Sequence, residues 1–346
     1  MKKSLSFVTL DVIVLVFGSI FSIVNFAKDI TVFASSDTKT PTKDSTKTPI
    51  KDPTKKPNVT IVSMAGTITS TSPGRDLFQT YGSESVSISD VLAKIQPEIS
   101  DVANVTVKEL HQVSSSTTLI EHVYDMSLAI DEALADKNVD AVVVNTGTNI
   151  LEELAYWTDL TVQSDKPVVF TGSMRMTNVF SFDGEANLFN AIRLAASSET
   201  VCYGPVVMLN DEFFAAREVT KTDALRVDTF EGGRYGVLGT VDEDRIRTVR
   251  APARVMACGT EEWKTPFKLK NISVEDIAQV EIVESYLEAS GITIEALADA
   301  GVDGIVTAGH GAGGISTAQQ AARKEAIEKG VTFVSATRAG SGAVYD

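Results

Sequence analysis

Histidine and cysteine are scarce in this chain of 346 residues, which contains three histidines and two cysteines. Two cysteines exclude a disulfide-rich scaffold, although the sequence leaves open a single bridge between Cys202 and Cys258. The three histidines are scattered, and no cluster of histidine and cysteine has the spacing of metal ligands. The sequence therefore does not predict a metal centre.

Positively charged residues are also few relative to negatively charged ones. The chain has 31 lysine and arginine residues against 46 aspartate and glutamate residues, which gives a formal net charge of −15 at pH 7. Nucleic acids and anionic membranes repel such a chain, so its charge argues against both as partners. The hydrophobic fraction of 43% is sufficient for packed cores, and the length allows two domains.

A long apolar run near the N-terminus covers residues 5–27 and follows two lysines, and small residues suitable for cleavage end at Ala34. This order is typical of a secretory signal peptide over residues 1–34. The alternative is an uncleaved membrane anchor, and Asp11 within the run argues against it. We therefore expect a secreted protein that is periplasmic or associated with the cell wall.

Residues 35–58 repeat a short unit rich in threonine, lysine and proline, with Ile50 as the one large apolar side chain. Such a segment cannot bury enough apolar surface to fold, so a disordered linker is predicted. Asn-x-Ser/Thr sites at Asn58, Asn104 and Asn271 predict a glycoprotein if the chain follows a eukaryotic secretory route.

From residue 59 onward, short apolar runs alternate with helical patterns. This alternation predicts an α/β fold with a mostly parallel sheet covered by helices on both faces. The alternation breaks near residues 251–278, so we expect a linker there between an N-terminal domain (59–250) and a smaller C-terminal domain (279–346). The predicted strands are 60–64, 141–146, 168–171, 206–209, 304–308 and 332–336, and the predicted helices include 89–95, 119–135, 151–160, 185–196 and 316–329.

The first predicted strand ends in a tight turn at Gly66, and Thr67 lies just beyond it. In an open α/β sheet, ligands bind at this carboxyl edge of the strands. A threonine hydroxyl at that edge can act as a nucleophile only with an adjacent base. The alternative is that Thr67 hydrogen-bonds only within its own turn.

Polar residues also follow later predicted strands. Thr148 and Asn149 follow the second, Ser173 follows the third, and Lys221 lies in the loop after the fourth. Parallel neighbours place such turns along one edge, together with Thr67. Two threonines and a lysine at one edge form a possible nucleophile and base without serine, cysteine or histidine.

Each of these residues also has an ordinary structural interpretation. Asn149 has Glu152 three residues later, which is the spacing of a helix capping box. Lys221 can be a surface lysine, the commoner situation for this residue type. Ser115 and Ser116 precede a predicted helix and can cap it.

The motifs taken together resemble those of bacterial-type L-asparaginases of the secreted type II class. The resemblance covers residue 59 to the end, and the matching motifs are MAGTIT, NTGTNILEELAYWTDLTV, GSMR with SFDGEANLFNA, REVTKTD and DGIVTAGHGAGG, in that order. It implies two-domain α/β subunits that form a homotetramer, a dimer of dimers. It also implies hydrolysis of L-asparagine, and of some L-glutamine, to the acid and ammonia, with no cofactor.

The resemblance also implies individual roles. Thr67 would be the nucleophile, and Tyr81 would lie on a mobile lid over the substrate. The other implied roles are a proton relay of Thr148 and Lys221, substrate α-carboxylate binding by Ser115 and Ser116, α-amino binding by residue 149, and further substrate binding by Ser173.

The sequence departs from the family pattern at several positions. Asn149 stands where the family has aspartate, and the family's two disulfide cysteines are absent. The family pattern normally continues beyond Asp346 with a further strand and a long helix, so we expect a truncated C-terminal domain. These departures favour as the alternative function a catalytically impaired protein that binds a ligand or acts as a scaffold.

A third interpretation is a nicotinamide-dependent dehydrogenase. Residues 309–314, GHGAGG, satisfy the glycine pattern of dinucleotide-binding loops between a predicted strand and a helix. The next predicted strand ends without the acidic residue that binds the ribose, so this interpretation is weaker.

Overall fold

A computed structural model describes residues 55–345. The predicted signal peptide and nearly all of the predicted linker lie outside the described residues. Thirteen strands are found in the described range: β1 Asn58–Ser63, β2 Asn104–Glu109, β3 Ala141–Asn145, β4 Val168–Thr171, β5 Pro205–Leu209, β6 Glu212–Ala215, β7 Thr220–Lys221, β8 Phe230–Glu231, β9 Gly239–Val241, β10 Ile246–Thr248, β11 Val280–Glu284, β12 Gly304–Gly309 and β13 Thr332–Thr337. Seven α-helices are described: α1 Ile88–Lys94, α2 Glu98–Val102, α3 Ile120–Ala135, α4 Leu151–Thr161, α5 Gly184–Ser197, α6 Ile292–Ala300 and α7 Thr317–Glu328.

The larger sheet has eight strands in the order β10-β9-β6-β5-β4-β3-β1-β2. Strands β1, β2, β3, β4 and β5 run parallel to one another. A segment that contains a helix connects each of them to the next strand in the chain, as parallel pairing requires. Strands β3, β4 and β5 are buried at every position, which explains their continuous apolar sequences.

Helices cover both faces of this sheet. Helix α5 packs against one face with α1 and α2 beside it, and α3 and α4 pack against the other. Ile192 belongs to the core on the first side and Ile130 to the core on the second, and both side chains are fully buried. The predicted mostly parallel sheet between two helical layers is confirmed.

The smaller sheet has three parallel strands in the order β11-β12-β13. Helices α6 and α7 contact each other and share a core with the sheet that contains Val283, Ile294 and Ile305. The predicted strands 304–308 and 332–336 are both present, with one further residue at each C-terminal end. The predicted smaller α/β unit is therefore confirmed, and the domain boundaries themselves stay predictions.

The antiparallel side of the larger sheet was not predicted. Strand β6 pairs antiparallel with β5 and with β9, and β10 pairs antiparallel with β9. These strands have only three or four residues each, too few to show a period in the sequence. Strand β2 was also missed, because its polar and charged residues hide the alternation of an edge strand.

The predicted linker, residues 251–278, is organised as a series of short 3₁₀ turns. A disulfide bond joins Cys258 in this segment to Cys202, which settles the pairing that the sequence left open. The indole Nε1 of Trp263 donates to the Cys202 carbonyl, and Arg254 forms an ion pair with the buried carboxylate of Asp159. The segment is therefore held against α4 and the chain just before β5 by a disulfide, a hydrogen bond and an ion pair.

Removing this disulfide should lower the thermal stability. It closes a loop between cysteines 56 residues apart, and a loop of this size restricts the unfolded chain by roughly 3–5 kcal/mol in the chain-entropy account. We expect the Cys202→Ser/Cys258→Ser variant to lose about 5–10 °C in Tm by calorimetry. A reducing agent should lower the wild-type Tm similarly and leave the variant unchanged; a wild-type Tm insensitive to reduction would contradict the prediction.

Two of the three predicted glycosylation sites lie on paired strands. The Nδ2 of Asn58 donates to the Asn138 carbonyl, and the Nδ2 of Asn104 donates to the Asn58 Oδ1 at 2.9 Å. A glycan on either nitrogen would disturb these bonds, whereas Asn271 is exposed in a 3₁₀ turn. Within residues 55–345, no helix has both the length and the apolar character needed to span a bilayer.

Candidate active site

The candidate site lies where the strand order of the larger sheet reverses. From β1 the sheet extends to β2 on one side, and from β3 it extends to β4 and β5 on the other. Crossover connections therefore leave β1 and β3 in opposite directions, which opens a crevice at their carboxyl ends. Thr67 follows β1, Thr148 and Asn149 follow β3, and Ser115 lies beyond β2. The topology thus brings these separated segments to one edge, as the sequence predicts.

Two glycines allow the three loops to approach closely. Gly66 has φ of +109°, and a Cβ at this position would lie 2.5 Å from the backbone nitrogen of Gly147. A Cβ on Gly147 would in turn lie 2.6 Å from the Ser115 Cβ. Any side chain at either glycine would push the loops apart, so this close approach depends on glycine.

Asn145 fixes the turn before Thr67 and was missed in the sequence. It is the last residue of β3, fully buried, and its Nδ2 donates to the Ala65 carbonyl at 3.1 Å. Ala65 has a positive φ of 61°, an unfavourable conformation for a residue with a side chain. The amide of Asn145 therefore helps to hold a strained turn. A polar residue ending an otherwise apolar strand is the signal that could have identified it.

The loops line an open cavity of about 310 Å³. Among the described residues that line it are five of the predicted site residues, namely Thr67, Tyr81, Ser115, Ser116 and Asn149. The remaining described lining comes from glycine, alanine, valine, glutamine and further serine and threonine residues, so its polar groups are hydroxyls, amides and backbone atoms.

Thr67 and Tyr81 are in direct contact. Thr67 is 8% exposed, and its Oγ1 lies 2.7 Å from the Tyr81 hydroxyl. Tyr81 lies on the loop between Ser70 and Ser85, two residues joined by an antiparallel β-bridge. Its side chain is 57% exposed. The predicted nucleophile is thus recessed, and the predicted lid residue covers it from the solvent side.

A second network of hydrogen bonds involves Asn149, which lines the cavity. The Nζ of Lys221 donates to the Thr148 Oγ1 at 3.0 Å and to the Asn149 Oδ1 at 3.0 Å. The Asn149 Nδ2 reaches towards the Ser116 Oγ at 3.5 Å. The alternative interpretation of Asn149 as a helix cap does not hold, because α4 begins after Ile150 and has no side-chain cap. The alternative interpretation of Lys221 as a surface lysine does not hold either, because the residue is half-buried and its amine has two side-chain partners.

Glu152 holds Lys221 in place and was missed as a site residue. Its carboxylate accepts a hydrogen bond from the Lys221 backbone N–H. Burial lowers the pKa of the Lys221 ammonium, and the charges of Glu152 and Asp223 oppose that shift. Burial is the larger effect, so the amine loses its proton more readily than a surface lysine does. The capping-box spacing had drawn attention to Glu152, but for a different role.

Ser115 and Ser116 belong to a 3₁₀ turn at the mouth of the cavity. Ser114 caps this turn, and its Oγ accepts from the Ser116 N–H. Helix α3 begins later, after Leu119, whose backbone N–H donates to the His122 ring. The alternative that the two serines cap this helix therefore does not hold, and their hydroxyls stay available at the cavity.

Ser173 is not brought to the cavity lining. It is fully buried, and its hydroxyl donates to the Arg175 carbonyl within the same turn. The Asp183 carboxylate accepts from the Arg175 N–H and holds this turn against α5, and burial raises the pKa of that carboxyl. The substrate-binding role implied for Ser173 stays a prediction, and its position suits a supporting role.

The glycine-rich segment 309–314 does not form a phosphate-binding loop. The backbone N–H groups of Gly313 and Gly314 donate to the His310 carbonyl, and the His310 N–H donates to the Gly314 carbonyl. These amides are therefore used within the loop and do not point to a ligand. The described residues also contain no group of three or more histidine, cysteine, aspartate or glutamate side chains placed to hold a metal.

Comparisons with known proteins agree with this geometry. Residues 58–254 match the family model described as "Asparaginase, N-terminal", and residues 279–346 match the "Glutaminase/Asparaginase C-terminal domain". The chain is 35% identical over 288 residues to "L-asparaginase 2" of Bacillus subtilis (strain 168), covering 83% of this chain and 74% of that one.

Two further comparisons bear on fold and location. "Probable L-asparaginase periplasmic" of Haemophilus influenzae is 32% identical over 286 residues, covering 83% of this chain and 79% of that one. The crystal structure of "Probable Cytoplasmic L-asparaginase from Campylobacter jejuni" superposes with a TM-score of 0.77 at 30% identity, covering 84% of this chain and 86% of that one.

Proposed function

The chain belongs to the asparaginase family and is an asparaginase-type amidohydrolase, and from this premise we propose that it hydrolyses L-asparagine through Thr67 as the nucleophile. The observation that carries the proposal is the adjacency of two groups. A recessed Thr67 hydroxyl lines the cavity, and a half-buried lysine amine that donates to Thr148 also donates to Asn149, which lines the same cavity.

In the first step, the Thr67 Oγ1 attacks the side-chain amide carbon of the substrate. A C–O bond forms, and the hydroxyl proton passes to a neighbouring base. Backbone N–H groups of the glycine turn after β1 are suited to stabilise the oxyanion that develops. When the tetrahedral intermediate collapses, the C–N bond breaks and the nitrogen leaves as ammonia only after it has received a proton. Water then cleaves the ester and releases the acid.

We assign the proton relay to Thr148 and Lys221. The 3.0 Å separation of the Lys221 Nζ and the Thr148 Oγ1 permits direct proton transfer between them. Because burial lowers the pKa of Lys221, its neutral amine is more accessible near neutral pH than that of a solvated lysine. The same position can therefore accept the proton from the nucleophile and return it to the leaving nitrogen.

The substrate is held by neutral groups in this proposal. The Ser115 and Ser116 turn is assigned to the α-carboxylate, and Asn149 is assigned to the α-amino end. L-Glutamine is proposed as a second substrate, because one matched family model names both activities. We further propose a homotetramer and export through the N-terminal segment. The signal-peptide pattern supports export. The names of the relatives do not decide the location, because they include a periplasmic and a cytoplasmic protein.

Replacing Tyr81 with phenylalanine should weaken catalysis moderately. The substitution removes the hydroxyl that lies 2.7 Å from the Thr67 Oγ1 and leaves the ring to cover the cavity. Loss of one hydrogen bond of this kind corresponds to roughly a tenfold decrease in kcat. Steady-state ammonia release measures the effect, and Tyr156→Phe, in which the ring packs against Arg217 outside the cavity, is the matched control. An unchanged kcat would mean that the Tyr81 hydroxyl takes no part in the rate-limiting step.

The proposed activity is tested with the purified full chain. Ammonia release from L-asparagine is measured for the wild type and for Thr67→Ala, with L-glutamine as a second substrate. Turnover that disappears in the variant supports the proposal. Equal rates in both proteins would overturn the nucleophile, and stable wild-type protein without turnover would favour the alternative function of a ligand-binding or scaffold protein.

A further inference from the structure

The cavity has no charged side chain among the described residues that line it. Its side-chain polar groups are the hydroxyls of serine, threonine and Tyr81 together with the amides of Gln112 and Asn149. A cationic group that enters a recessed site loses water, and it needs an opposite charge to compensate for that loss. The lining offers no such charge to the α-ammonium of an amino acid.

Chemistry fixes the orientation of the Asn149 carboxamide. The Lys221 ammonium has three donors and no acceptor, so the atom 3.0 Å from its Nζ must be the amide oxygen. The Nδ2 of Asn149 consequently points to the other side, towards the Ser116 Oγ at 3.5 Å. The cavity therefore faces an N–H donor, and the only side-chain acceptor of Asn149 is already shared with a cation.

An α-ammonium at this position would meet two penalties. It would compete with Lys221 for one neutral oxygen, and the two positive charges would repel each other. A ligand with hydrogen at the same carbon meets neither penalty, and a hydroxyl there can accept a hydrogen bond from the Asn149 Nδ2. Residue 149 thus discriminates against a positive charge at the 2-position.

We propose that this site also takes monoamides of dicarboxylic acids whose 2-position is uncharged, with Asn149 as the residue that sets this specificity. The inference rests on the proposed function and extends its substrate class. The simplest member is succinamic acid, which is asparagine without its amino group. The reaction is the same hydrolysis: the C–N bond breaks, a C–O bond to the water oxygen forms, and succinate and ammonia are the products.

The experiment compares kcat/KM for L-asparagine and for succinamic acid, measured by ammonia release in the wild type, in Asn149→Asp and in Asn271→Asp. In the wild type we expect the asparagine-to-succinamate ratio to stay within about tenfold of one. A carboxylate at 149 has one oxygen for Lys221 and another for the substrate ammonium, so Asn149→Asp should raise the ratio about 10- to 100-fold. Asn271→Asp adds the same charge in an exposed turn and should leave the ratio unchanged.

Two results would overturn this specificity. One is a wild-type preference for L-asparagine above about 100-fold that Asn149→Asp does not alter, because the ammonium would then be held elsewhere. The other comes from binding, measured by calorimetry with the products. Succinate should bind the wild type at least as tightly as L-aspartate, and Asn149→Asp should favour L-aspartate; the opposite order in the wild type contradicts the proposal. Binding can be measured without turnover, so failure of the proposed specificity can be distinguished from failure of the proposed hydrolysis.

Discussion

Thr67→Ala is expected to reduce kcat/KM for L-asparagine by about three to six orders of magnitude, the range seen when the nucleophile of a coupled catalytic unit is removed. The hydroxyl is the group proposed to form the ester intermediate, and alanine offers no atom to replace it. The side chain is small and its backbone is fixed by the 3₁₀ turn that it begins, so the fold should be preserved. Ammonia release and a Tm measurement on the same sample separate lost chemistry from lost structure.

Two control variants make this test specific. Thr67→Ser keeps the hydroxyl and should retain much more activity than Thr67→Ala. Thr60→Ala makes the same substitution on β1, where the Oγ1 contacts Thr106 at 3.1 Å and does not line the cavity, and it should keep wild-type turnover. If Thr67→Ala retained more than about a tenth of the activity, a nucleophilic role for Thr67 would be excluded.

The parallel part of the fold could be predicted from the sequence for a physical reason. Strands β3, β4 and β5 are buried on both faces, so nearly all of their side chains are apolar and the sequence shows a continuous apolar run for each strand. The amphipathic helices between them have a 3.6-residue period. The antiparallel strands β6, β9 and β10 have no comparable signal, because each has only three or four residues, too few to show a period.

The site could be predicted only in part. Thr67 and Thr148 follow parallel strands that end at one edge, as the sequence predicts. Lys221 instead lies in β7, after the antiparallel strand β6, and its amine still donates to Thr148. The direct contact of Tyr81 with Thr67 depends on the path of a long loop, which local sequence does not specify. Asn145 and Glu152 act through backbone groups of other segments, so only the folded chain reveals them.

Replacing Lys221 with methionine is expected to lower kcat about 10²- to 10⁴-fold, the usual contribution of a general acid–base group. Methionine keeps an unbranched apolar stem but removes the amine that donates to Thr148 and Asn149. Lys264→Met, which removes an exposed amine paired with Glu261, is the matched control and should leave kcat within about twofold, since such surface pairs contribute little.

Lys221→Arg separates a base from a simple positive charge. Arginine keeps the charge and donors but cannot lose its proton in a protein, so it should not rescue a position that must accept one. The pH profile gives an independent readout. Because burial lowers the pKa of Lys221, the fraction of neutral amine, and with it kcat, should rise with pH through that lowered pKa and fall on acidification. Lys221→Arg should lose this rise. A variant with wild-type kcat and an unchanged pH profile would mean that Lys221 positions Thr148 and Asn149 without exchanging a proton.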